Sequence, residues 1–151
     1  ITIDSFSNSA SIFIRDCLRH MLVDTQNPVR TTTNWIFKGQ PEDNTINYPY
    51  VVLSTGRDIE MLTGNNTKKM IKNFKVDIEI WANKIADRDN LADQIIKILR
   101  DPTSHDVNDD TLGSKRIFLK DATDDDQDEY KDETNLVRVK IMSLNFSYGG
   151  K

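Results

Sequence analysis

Between Phe74 and Asp101 the chain reads FKVDIEIWANKIADRDNLADQIIKILRD, and the spacing of its apolar residues changes partway through. Phe74, Val76, Ile78 and Ile80 alternate with Lys75, Asp77, Glu79 and Trp81. Successive strand side chains point to opposite faces, so this half is a strand with one face on a core. Leu91, Ala92, Ile95, Ile98 and Leu99 then recur at intervals of three and four, which draws one stripe down a helix at about 87–100. Asp87 or Asp89 is placed to cap it, and Asp93 and Lys97 form a favourable pair one turn apart. Asp101-Pro102 ends it, because proline disfavours helical backbone in the residue before it. A half-buried strand leading into a half-buried helix needs a second layer, which points to helices on a sheet.

The remaining chain supplies those layers. Ala10, Phe13, Ile14, Cys17, Leu18, Met21 and Leu22 make a second helical stripe, placing a helix at about 8–24 with Ser7 or Ser9 as cap. Trp35-Ile36-Phe37 is a short apolar run in a polar stretch, and residues 50–55 form a strand whose consecutive apolar residues suggest burial on both faces. Thr63-Gly64-Asn65-Asn66-Thr67 carries turn chemistry. Residues 50–62 and 68–81 therefore form a long protruding hairpin with Gly64, Asn65 and Asn66 at its tip. Residues 116–120 make a short strand. Leu136 to Tyr148 is a long one whose apolar phase switches from Val137, Val139 and Ile141 to Met142, Leu144, Phe146 and Tyr148. Such a switch means a bulge or a change in which face is covered. Leu144, Phe146 and Tyr148 are then buried either by a neighbouring subunit or by their own chain. The expected fold is α+β, with two layers: a mainly antiparallel sheet bearing the long hairpin, and two amphipathic helices packed on one face. Residues 1–151 form a single domain.

Composition excludes several functions. The net charge of -4 is uneven: Asp121 to Glu133 holds eight acids and one lysine, a net of -7, which leaves the rest near +3. A general nucleic-acid binder would carry a basic patch instead. The acidic run reads as a solvated loop held open by repulsion. Facing a channel, Asp124, Asp125, Asp126, Asp128 and Glu129 would keep DNA phosphate from adhering. Neither this run nor the one from Asp106 matches a calcium loop, since the required Gly and Glu positions are wrong. One cysteine, Cys17, excludes an internal disulfide and lies on an apolar stripe, which makes it a core residue. His20 and His105 are far apart in sequence; His20 reads as structural or exposed, and His105 as solvated in a polar loop. No nucleophile, phosphate-loop or zinc motif is present, so neither catalysis, cofactor nor metal is expected. No run approaches the length of a membrane span, and ITIDSFSNSAS lacks the basic and apolar regions of a signal peptide.

The pieces YPYVVL, VDIEIWANK, LADQIIKIL and RVKIMSLNFSY, in this order after an N-terminal helix, resemble the tail terminator (tail completion) proteins of long-tailed bacteriophages. The resemblance spans about residues 8–148. It implies a non-enzymatic virion protein that assembles in the host cytoplasm as a ring, a homohexamer in that family. The ring caps the tail tube and ends its growth, and the resemblance makes the hairpin tip at Gly64, Asn65 and Asn66 a candidate interface with a neighbouring subunit or the tube. Its implied partners are copies of itself, the tail tube protein and a head-completion or connector protein. Viral DNA passes through the ring without sequence-specific binding, and no membrane is involved. A connector subunit of the same neck, or a small-molecule-binding α+β domain, are the alternatives.

Overall fold

The computed structural model describes residues 6–22, 35–39, 48–55, 59–62, 70–127, 129–130 and 136–149. Among these residues two helices, α1 (Phe6–Met21) and α2 (Ile85–Arg100), accompany seven strands: β1 (Ile36–Lys38), β2 (Tyr50–Thr55), β3 (Ile59–Leu62), β4 (Met70–Ala82), β5 (Ile117–Asp126), β6 (Glu129–Tyr130) and β7 (Leu136–Gly149). The sheet runs β1-β2-β4-β7-β5, with β3 paired to the first residues of β4 and β6 to the first residues of β7. Among the described strands, β1–β2 pair in parallel and every other pair is antiparallel. The α+β fold expected from periodicity is the one found.

The long strands β4 and β7 form the spine, paired without interruption from Ile71↔Gly149 to Ala82↔Arg138. Strands β2 and β3 are successive parts of one arm, both antiparallel to β4, as the hairpin reading requires. Its tip, Gly64, Asn65 and Asn66, lies outside the described residues.

Both helices cover the same face of the sheet. On α1, Ala10, Ile14, Cys17, Leu18 and the following Leu22 are buried, whereas Met21 turns outward. On α2, Leu91, Ala92, Ile95 and Leu99 are buried. Beneath them lie Val51 and Leu53 from β2; Phe74, Val76, Ile78 and Ile80 from β4; and Met142, Leu144 and Phe146 from β7. The rings of Phe74 and Phe146, direct cross-strand partners, stack with centroids 5.3 Å apart. Arg19 ties α1 to the sheet border by donating twice to the Ile36 carbonyl, at 2.7 and 3.0 Å.

The register of β7 settles its phase switch. Pairing with β4 contains no extra residue, so the strand has no bulge against its main partner. Val137 and Val139 are buried on the face away from the helices, and Met142, Leu144 and Phe146 on the helix side. The cover changes sides while the strand stays regular.

Three expectations need correction. Helix α2 begins two residues earlier than the capping reading placed it: Lys84 is its N-cap residue and contributes no side-chain cap. The acidic run is not a loop from Asp121 onward, because β5 continues to Asp126 in register with β7. Asp is a poor strand residue, but a long backbone ladder with a regular partner outweighs that preference. Finally, His105 is not simply solvated. It sits in the tightly bonded segment after α2, with its ring centroid 4.7 Å from that of His20.

That segment is ordered by local polar contacts. The Asp101 carboxylate accepts from the backbone N–H and hydroxyl of Thr103, which holds its pKa below the usual carboxylate value. The Ser104 hydroxyl donates to the Ile98 carbonyl at 2.6 Å. The Asp106 carboxylate accepts the backbone N–H groups of Asn108 and Asp110. Its Oδ1 thus serves the loop's own backbone.

Candidate assembly surfaces

A single inserted residue decides where the acids of β5 point. Ile117 and Leu119 face the helices opposite Tyr148 and Phe146. Register then jumps: Leu119 pairs with Phe146, but Asp121 pairs with Asn145, leaving Lys120 as the extra residue of a bulge. Because strand side chains alternate, one extra residue moves every later side chain to the other face. Ala122, Asp124 and Asp126 therefore turn toward the helices, while Asp121, Thr123 and Asp125 turn away.

On the helix side the acids meet two cations. Lys140 follows the phase of Met142 and Leu144 and is mostly covered. Its Nζ lies 3.1 Å from Asp89 on α2, 3.5 Å from Asp126 and 3.9 Å from Asp124. Arg88 is buried on the inner stripe of α2, donating to Asp89 at 3.0 Å and to Asp126 at 3.3 Å. These five side chains join the start of α2 to β5 and β7. The bonds from Arg88 and Lys140 hold Asp89 below the ordinary carboxylate pKa. Burial opposes the charge on Lys140, but its bond to Asp89 and the charges of Asp126, Asp89 and Asp124 outweigh it and raise its pKa.

The sequence carried a sign of this cluster that periodicity alone overlooks. Arg88 falls three residues before Leu91, in phase with the apolar stripe, and Lys140 falls two before Met142. A cation in phase with a core stripe needs an anion nearby, since unpaired charge is costly to bury. Asp124 and Asp126 meet that need while their side chains stay 60% and 49% exposed to water.

The helix-free face has a different character. Tyr48, Tyr50 and Trp81 form a stack, with centroids 5.5 and 5.8 Å apart, and the Trp81 indole donates to Glu79. Beyond it the face is polar and acidic. Asp77 accepts from Ser143 and lies 3.8 Å from Lys75. Asp121 accepts from the Asn145 amide, and Asp125 from the Gln127 amide. Phe118, on the same face, is exposed. Of the candidate channel acids, Asp125 alone combines a described side chain with this face. Only the backbone of Glu129 is described, within β6, and Asp128 lies outside the described residues.

The candidate inter-subunit strand requires a correction. Leu144 and Phe146 are 0% exposed and belong to the protomer's own core. Their burial under α1 and α2 leaves no side-chain surface for a neighbour. Tyr148 is half-buried against the same core. The borders of the sheet are different: β5 ends it on one side and the three-residue β1 on the other.

Burial, with the nearby charges of Asp106 and Asp16, pushes the Cys17 thiol up to about 12, so it is held protonated. Among the described residues no three His, Cys, Asp or Glu side chains converge on a metal position, and no helix is long and apolar enough to cross a membrane. A shallow groove along the outside of α2 is lined by Asp93, Ile96, Lys97, Arg100 and Asp101.

Comparison with known proteins gives a fold likeness and no sequence match. No family model matches the chain, and no curated protein matches it by sequence. Among solved structures, a chain from the "Virion of native gene transfer agent (GTA) particle" aligns with a TM-score of 0.51 at 10% identity. The alignment covers 95% of this chain and 99% of that one, so the two share an architecture from end to end.

Proposed function

We propose that this chain is a structural virion protein that assembles into a ring, six copies in the closed form, at the head-proximal end of a phage-like tail. The ring caps the tail tube, ends its polymerisation and joins it to a head-completion or connector protein, and DNA passes through it. The observation that carries this reading is the end-to-end fold likeness to a chain of a virion particle. It agrees with the tail-terminator resemblance of YPYVVL, VDIEIWANK, LADQIIKIL and RVKIMSLNFSY.

The surfaces support a head-to-tail ring. Such a ring needs two different contact surfaces on each copy, and closure follows when the rotation between neighbours is a whole fraction of a turn. The sheet has two unlike borders, a short parallel strand β1 and a long acid-bearing strand β5. Asp121 and Asp125 meet amides rather than cations, so their charge is available to keep phosphate from adhering if this face meets the channel. Gly64, Asn65, Asn66, Asp128 and Glu129 remain proposed contact positions on the hairpin tip and the acidic run. The role requires no turnover.

Native mass measurement and negative-stain electron microscopy of the protein, alone and mixed with preformed tail tubes, test the reading. Rings of uniform copy number, or density capping one end of the tube, are the expected result. A protein that stays single under both conditions and leaves tube length unchanged overturns it. Binding to isolated portal complexes but not to tubes would reassign it to the connector.

A further inference from the structure

We propose that His20 and His105 together form a binding site for a borderline transition-metal cation such as Zn²⁺, clipping the last turn of α1 to the segment after α2. These are the two histidines of the chain, 85 positions apart, and their ring centroids lie 4.7 Å from each other at a tilt of 52°. His20 is exposed on α1, and the His105 side chain is one-third exposed, so a hydrated cation can reach both.

The tautomer of His105 suits a ligand. Its Nδ1 lies 2.8 Å from the Asp106 carbonyl oxygen and 3.6 Å from an Asp109 carboxylate oxygen. Both neighbours are acceptors, so Nδ1 carries the hydrogen and the Nε2 lone pair of the neutral ring is left for a metal. Donation of one ring N–H to a carbonyl or carboxylate is the usual outer-shell support of a metal-bound histidine, because it fixes tautomer and ring orientation.

The support is rigid. His105 forms a bridge to Thr111, and the flanking Ser104 and Asp106 are buried and bonded to backbone. Of the nearby groups, the Cys17 thiol is buried and protonated, the Asp106 Oδ1 is taken by two backbone N–H groups, and Asp109 lies on the Nδ1 side of the His105 ring. The protein therefore supplies two imidazoles, with water completing the coordination. Imidazole favours Zn²⁺, Cu²⁺ and Ni²⁺ over Mg²⁺ and Ca²⁺, which prefer oxygen.

The test uses the full chain without a polyhistidine tag. Calorimetric titration with Zn²⁺ is expected to give one equivalent bound. Affinity should fall at least about tenfold in both His20→Ala and His105→Asn. Zn²⁺ should raise the melting temperature of the wild type and not of either variant, since only a ligand of the native state stabilises it. Paramagnetic resonance of the Cu²⁺-loaded wild type should show coupling to two imidazole nitrogens, a readout that needs no variant to fold. Absence of Zn²⁺ binding, undiminished binding in both variants, or a copper spectrum without imidazole nitrogen would each overturn the site. The site lies within one protomer, so none of these outcomes depends on ring formation.

Discussion

The two ends of the helix–sheet interface are built from different chemistry. At one end Phe74, Phe146, Val76 and Leu144 pack under the helices with no polar atom among their side chains. At the other, Lys140, Arg88, Asp89, Asp124 and Asp126 occupy the same layer as a charged cluster. Apolar burial scales with area and tolerates any pH. The charged corner stabilises only while every partner holds its charge, and its acids keep substantial contact with water. One end accounts for stability; the other decides how β5 and the start of α2 are held.

That contrast can be broken at either end. The largest effect is expected from Ile78→Asp, which buries an unpaired charge in the centre of the apolar region. The cost is several kcal/mol, close to the whole stability of a domain this size, so the variant should be unfolded by circular dichroism. A folded, soluble variant would refute the core assignment. Phe146→Ala removes a stacked, fully buried ring and should lower stability by about 3–5 kcal/mol in urea unfolding. At the charged end, Lys140→Met keeps the aliphatic stem and removes only the ammonium group. A loss of about 1–2 kcal/mol is expected, because its carboxylate partners are partly solvated.

Stability against pH sharpens the same comparison. Asp89 is lowered in the folded state, so its contribution is present above the unfolded carboxylate pKa of about 4 and is lost as pH falls through the lower folded value. Lys140 is raised, so its contribution is complete below about 10.4 and is lost as pH climbs through the higher folded value. The wild type should weaken at both extremes, and Lys140→Met should flatten the alkaline limb of the melting curve. The smallest effect is expected from Asp121→Asn with Asp125→Asn. Their partners are amides on the helix-free face, so stability should change by less than about 0.5 kcal/mol. Any change in DNA passage or infectivity would then report on the surface alone.

Much of the fold was legible in the chain. Strand β4 announces itself by alternation, α1 and α2 by their stripes, and the β2–β4 arm by its turn residues. The acidic run was not legible as a strand. Nothing local favours extension through ATDDD, and what holds it extended is pairing with residues 140–144 of another strand, which its own composition does not announce. The meeting of His20 with His105 is hidden for the same reason, since it depends on how α1 docks beside the segment that follows α2. The spacing of Leu144 and Phe146 marks them as buried, but periodicity cannot say whose atoms do the burying.

Local periodicity determined the elements of this protein, because alternation and helical stripes are properties of consecutive residues. Tertiary structure decided which face each residue served. The unpaired Lys120 of the β5 bulge turns Asp124 and Asp126 inward to Lys140 and Arg88 and leaves Asp121 and Asp125 outward. A bulge is a mismatch between two strands, and a mismatch has no existence until the partner strand is in place.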